Sequence, residues 1–349
     1  MPTLQRLTLA TAFALVCATS QSVPAQAPSL PPDIDWAMQN GGFSAADVAS
    51  LQGGQVVTRT QTDAEHLEAV VISAVRIRTT KEQAVGYFRQ LLSYEDGSVT
   101  LRYGTFTNPP KEADIARLSL DNDDVGELRN CRPKNCGVRI GAAGVSALGG
   151  AVDWRAPDAA ERASAWARQR LTAYAAAYMK QGDAALIVYD DQSQPVKLQD
   201  MWQGIVDRSP AIAMYAPPLQ RHLTGFPEVP LPGGTDELYW DQQHLTSLKT
   251  ITGITHMVTW RDPQRPDRAL IAQKQIYASH YFYGSLAVTL FLQDPREAAS
   301  PTTYLVYVNR ARGDLLKGGF GGLRQHLAEK MVKDSAAEML GAIKTALER

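Results

Sequence analysis

The sequence predicts an α+β protein in which an antiparallel sheet packs against one long C-terminal helix. Three observations predict it. Residues 67–78 alternate along a strand and run straight into a helical pattern over 81–92. Three strand-like segments, 251–260, 269–292 and 302–310, come late in the chain. Residues 323–347 then carry an apolar stripe at helical spacing.

The first 25 residues read as a secretory signal. Arg6 and the α-amino group supply the positive start, residues 7–16 are mostly apolar, and no further charge appears before Asp33. The run is too short to cross a bilayer, which needs about 20 apolar residues. Cleavage after Ala25 fits the small-x-small rule better than cleavage after Ala27, which would place Pro28 beside the scissile bond. Cys17 leaves with the signal, and Val16 before it is not the small residue that a lipidation site needs. The chain is therefore expected in the periplasm or outside the cell. Residues 26–40 read as a linker and 41–349 as one domain.

Within that domain, Ser44 with Asp47 three residues on marks the start of a helix over 44–51, closed by Gly53-Gly54. The strand over 67–78 has apolar residues on both faces in its middle, so burial on both sides is expected. Thr79-Thr80 caps the helix over 81–92, and residues 98–106 read as further strand, stopped at Asn108-Pro109-Pro110. Residues 113–128 are mixed and acidic. Asp121, Asp123 and Asp124 lack the Gly and distal Glu of a calcium loop and read as a solvated turn. The Gly-rich stretch 141–151 reads as a loop or hairpin. A strong helix is expected over 159–180, a strand over 185–189, and helices over 198–206 and 212–223, the second broken at Pro217-Pro218. Residues 226–234 read as loop. The segment 269–292 reads as one long strand bent at Gly284.

The net charge of −1, without a block of like charges, argues against nucleic acid as a partner and gives no electrostatic reason to sit on an anionic membrane. No later apolar run is long enough for a transmembrane helix. Cys131 and Cys136 form an even pair in an oxidising compartment, and Pro133 and Asn135 let the chain between them turn back. A disulfide is expected. Free thiols are the alternative, and the ligand count is too low for zinc.

The order of a strand with a following helix (67–77 into 80–92), three late strands and a long final helix resembles the START-like, or helix-grip, superfamily. The resemblance covers about half of the chain after the signal. It implies a curved sheet gripping the last helix around a cavity for an apolar ligand. The segment from about 110 to 236 departs from that pattern and reads as a large, partly helical insertion. No functional residue carries over, because members share a fold and not a fixed site.

Chemistry is less legible. Gly144-Val145-Ser146-Ala147-Leu148 fails the nucleophile elbow at its last position. Residues 318–322 lack the signature of a phosphate loop and read as a hinge before the last helix. No motif calls for a cofactor, and no spacing points to a metal. His256 and His280 lie on strand faces with apolar neighbours. With a turn centred near 264–265, His256 stands opposite about residue 273, which puts His280 over ~20 Å away. Each then reads as a hydrogen-bonded wall histidine. Tyr277, Tyr281 and Phe282 are candidate cavity-rim residues, where rings pack on a ligand body and hydroxyls reach its head group. Arg76, Arg78, Arg310 and Arg312 near strand ends read as solvated or ion-paired. The leading expectation is non-catalytic binding of an apolar or amphipathic small molecule, lipids included, between sheet and last helix. The alternatives are a cyclase- or hydrolase-type enzyme using His256 or His280 as acid–base, and an envelope assembly module docking through the insertion.

Overall fold

The computed structural model describes residues 29–63, 68–95, 99–191, 194–244, 248–297, 299–314 and 321–349. The signal segment and most of the glycine hinge lie outside them. The chain runs α1 (Pro32–Asn40), α2 (Ala45–Gln52), β1 (Val57–Asp63), β2 (Glu68–Ile77), α3 (Lys81–Leu92) and β3 (Thr100–Thr105). Next come α4 (Asn122–Asn130), α5 (Gly141–Ala151), α6 (Ala159–Gln181), β4 (Val188–Tyr189), β5 (Val196–Lys197), α7 (Leu198–Asp207), α8 (Pro210–Tyr215) and α9 (Pro217–Gly225). It closes with β6 (Gly234–Gln243), β7 (Ile251–Arg261), β8 (Arg268–Ala278), β9 (Phe282–Gln293), β10 (Thr303–Gly313) and α10 (Gly321–Leu347).

The fold is α+β. Eight strands form one antiparallel sheet in the order β1-β2-β10-β9-β8-β7-β6-β3. Helices cover both faces. On one face, α3 and α10 pack over Val75, Ile77, Ile271, Phe291 and Leu305, with Phe88 edge-on to Phe291 at 5.5 Å. On the other face, α1 packs over Val306 and Leu292, and the helices between β3 and β6 cover Ile254, Val258 and Trp260. Covered on both sides, β7 is buried along its whole length except at Arg261, including its polar residues Thr252, Thr255, His256 and Thr259. Among the described residues no helix is long and apolar enough to cross a membrane.

The local signals act as read. Ser44 and Asp47 form a capping box on α2, and Thr80 and Gln83 form one on α3. Pro217 breaks the helical run by starting a new helix at its first turn. Cys131 and Cys136 are disulfide-bonded, with Cα atoms 4.4 Å apart. Arg132 and Asn135 exchange backbone hydrogen bonds across the turn between them.

Several expectations are corrected. Residues 32–40, read as linker, form α1, with Pro32 at its first turn. The stretch 141–151 is a helix, not a loop. Its first amides donate to carboxylates about fifty residues away: Ile140 and Gly141 to Asp191 Oδ1 (3.0 and 2.7 Å), and Ala142 to Asp190 Oδ1 (2.5 Å). The acidic run near 121 is not a solvated turn, since Asp121 caps α4 and Asp124 is buried. The strand over 185–189 shrinks to two residues. The segment 269–292 is two strands joined by a tight turn at 279–281, where Tyr281 has φ 57°. Gly284 does mark an irregularity, because the β9–β10 register shifts beside it. A Cβ there would come within 3.0 Å of the Gln275 carbonyl.

Candidate functional site

Among the described residues, the sheet face under α3 and α10 is filled at one end and borders a cavity at the other. Large side chains at 75, 271, 291 and 305 meet the helices at the filled end. Towards the other end the same face carries the short side chains of Ser285, Ala287 and Ala311. A cavity of about 350 Å³ results. Its roof is apolar apart from Ser335, formed by Leu91 and Leu92 of α3 and Val332, Ala336 and Met339 of α10. Its floor carries the polar groups of Tyr239, Asp241, Thr255, Gln273, Gln275, Tyr307 and Asn309 among apolar positions such as Val71 and Ala287.

The pairing explains this floor. Met257, Gln273, Ala287, Asn309 and Val71 lie in one row across five strands, each opposite the next. Gln273 donates to Tyr239 Oη at 3.0 Å, and Gln243 donates to Asp241 Oδ2 at 2.6 Å. Gln275 Oε1 and Asn309 Oδ1 are buried without a hydrogen-bond partner. Unpaired buried amide oxygens are costly, and each marks where a donor is wanted. Burial pushes the Asp241 carboxyl up to about 6, only partly offset by Gln243. Burial also pushes the Tyr307 phenol up to about 12.

The histidines lie on the opposite face. His256 Nε2 donates to Asp236 Oδ1 at 2.8 Å, and its Nδ1 lies 3.0 Å from the Tyr178 hydroxyl. His222, on α9, bonds the same Asp236 oxygen at 2.7 Å and donates from Nδ1 to the Val229 carbonyl at 2.6 Å. Burial lowers the pKa of His256, and the pull of Asp236 does not restore it. For His222 burial works the same way, but the bonds to Asp236 and Val229 prevail and its pKa is raised. Asp236 resists its own partial burial through the two imidazoles and is held well below the usual carboxylate range.

His280 sits in the β8–β9 turn and bonds the buried Asp124 at 2.6 Å. Asp124 also borders a second cavity, of about 330 Å³, between the sheet and α4–α6. Its walls include Leu128, Ile140, Trp166, Leu171, Tyr174 and Tyr277. Asp124 Oδ2 has no partner.

The five candidate residues therefore separate. Phe282 borders the cavity under α10, and Tyr277 borders the one on the other face. Tyr281 accepts a bond from the Lys249 amide at 3.0 Å. His256 and His280 belong to different carboxylate clusters. The observed register places Lys274 opposite His256, one residue from the expected position. Among the strand-end arginines, Arg76 is ion-paired with Glu297, Arg78 with Glu348 and Arg310 with Glu68. Sequence reasoning missed His222, Asp236, Asp241, Gln275 and Asn309. The only available signal was polar residues at alternate positions in otherwise apolar strands. No protein-family model matches this chain, and no curated protein matches it.

Proposed function

We propose that the chain is an exported binding protein for an amphipathic small molecule, held in a START-like manner between the sheet and α10. The observation that carries this reading is the pair of unpartnered buried oxygens, Gln275 Oε1 and Asn309 Oδ1, in the floor of an apolar-roofed cavity. A ligand with N–H or O–H donors on one side and an apolar body on the other satisfies both surfaces. The purely apolar ligand of the resemblance fits the floor poorly, because it would leave those oxygens unpaired. A lipid with a hydrogen-bonding head group remains within the class. The Cys131–Cys136 bond agrees with an oxidising compartment.

Binding is favoured over catalysis because His256 and His280 both lie away from this cavity. The His280–Asp124 pair is the observation behind an enzyme reading, but Asp124 rather than the imidazole borders the second cavity. An assembly module is less supported. The large apolar side chains most exposed among the described residues, Tyr94, Val99, Val188 and Met214, include only two from the insertion.

Native mass spectrometry of the purified chain, followed by organic extraction, tests the proposal. The expected result is a bound small molecule with hydrogen-bond donors. A folded chain that carries no ligand, and takes up none from a panel of amphipathic compounds, would sink it.

A further inference from the structure

We infer that His222, Asp236 and His256 form a divalent-metal site of the zinc class, separate from the cavity under α10. The two imidazole Nε2 atoms converge on one carboxylate oxygen, at 2.7 and 2.8 Å, and the donor atoms of the three residues all lie within 4.8 Å of one another. Zinc bonds to nitrogen and carboxylate oxygen are about 2.0–2.2 Å. To admit an ion between them, the two Nε2 atoms have to move off hydrogen-bond distance from the shared oxygen.

The surroundings fit ligation. A metal-bound histidine characteristically engages its second nitrogen with a fixed partner, which sets the ring orientation. Here His222 Nδ1 is held by the Val229 carbonyl at 2.6 Å, and His256 Nδ1 by the Tyr178 hydroxyl at 3.0 Å. Both Nε2 atoms are thereby the ones left for the shared centre. Phe226 packs against His256 with ring centroids 4.3 Å apart and against His222 at 5.8 Å, forming an apolar wall behind the pair. Asp236 is instead partly exposed, which gives a cation a route in. The nearest cation, Lys274, is held by Asp183 at 2.5 Å and by the Leu223 carbonyl at 2.8 Å. Its charge is offset locally, leaving Asp236 to balance the metal. With the Nε2 protons displaced by the ion, two neutral imidazoles and one carboxylate suit zinc and its neighbours better than magnesium or calcium, which prefer all-oxygen sets. The second cluster, Asp124, Glu127 and His280, is the weaker candidate. It offers one nitrogen, and Glu127 is already ion-paired with Lys249.

Calorimetric titration of the tag-free, EDTA-dialysed chain with zinc chloride is the test. One equivalent is expected to bind. His222→Gln and Asp236→Asn should each weaken it beyond the about 10–100-fold typical of losing an outer partner, and Tyr178→Phe should fall within that range. His280→Gln should leave binding unchanged. Absence of zinc binding by the folded wild-type chain overturns the site. So does binding that survives both ligand substitutions or disappears in His280→Gln. Should the ligand variants fail to fold, the wild-type chain loaded with Co²⁺ decides. The intense visible absorption of a four-coordinate centre supports the site, and the faint absorption of a six-coordinate ion, or none, overturns it.

Discussion

Ala287 on β9 stands directly opposite Asn309 on β10, and its single methyl group leaves the Asn309 amide at the floor of the cavity under α10. Four residues along the same strand and on the same face, Phe291 fills the equivalent space and packs on Phe88. The two positions make a matched pair. Ala287→Leu should fill cavity space, change stability by less than about 1 kcal/mol and abolish ligand uptake, because the added carbons enter open volume and not a packed core. Phe291→Ala should cost about 3–5 kcal/mol. Urea unfolding and native mass spectrometry read both outcomes. Retained ligand in Ala287→Leu would count against the cavity.

Asp241 makes stability depend on pH. Its carboxyl is held at about 6 in the fold against 3.8 for the free side chain, so the folded state binds the proton more tightly. The contribution is fully present below about 3.8 and is lost as pH rises through 6. Two pH units correspond to about 3 kcal/mol in order of magnitude. Asp241→Asn has no proton to lose, so the gap between variant and wild type should widen in the variant's favour from pH 4 to pH 7. Urea midpoints across that window check it, and parallel curves would contradict it.

Glu68 is fully buried at the start of β2 and ion-paired with both Arg208, at the end of α7, and Arg310 on β10. It joins the insertion to the sheet. Glu68→Gln removes the shared negative charge from two partly buried guanidinium groups and should destabilise by about 3–5 kcal/mol. A loss within the range of an exposed pair, under about 1 kcal/mol, would show that the arginines find other partners.

The Cys131–Cys136 bond closes a short loop, so the chain-entropy model gives it about 2 kcal/mol. A Cys131→Ser/Cys136→Ser chain should unfold at correspondingly lower urea. Ligand uptake under α10 should persist, since the bond lies in the helical layer on the opposite sheet face. Loss of uptake in a chain whose circular dichroism is unchanged would tie the bond to the cavity.

The elements legible in the sequence are those whose causes are local. The caps at Ser44 and Thr80 act on amides three residues away. The β7–β8 register followed from one turn to within a single residue of His256. The illegible parts have distant causes. The helix at 141–151 holds four glycines and no cap of its own, and Asp190 and Asp191 complete its first turn from across the fold. The reversal at 279–281 contains no Gly, Pro, Asn or Asp, and Ser279 is its one common turn residue. The reversal is fixed by Thr252, whose carbonyl accepts from the Ser279 amide and whose amide donates to the Ser279 hydroxyl, both at 2.9 Å.

The sequence alone therefore determined the fold class, since strand and helix periods depend on neighbours two to four positions apart. It also marked Cys131 and Cys136 as a pair, because their separation is short. Tertiary structure decided where polar groups gather. Asp241, Gln275 and Asn309 come together through the pairing of strands far apart in the chain, and His222, Asp236 and His256 through the docking of α9 against the sheet. Such meetings depend on register and docking, which no window of sequence contains.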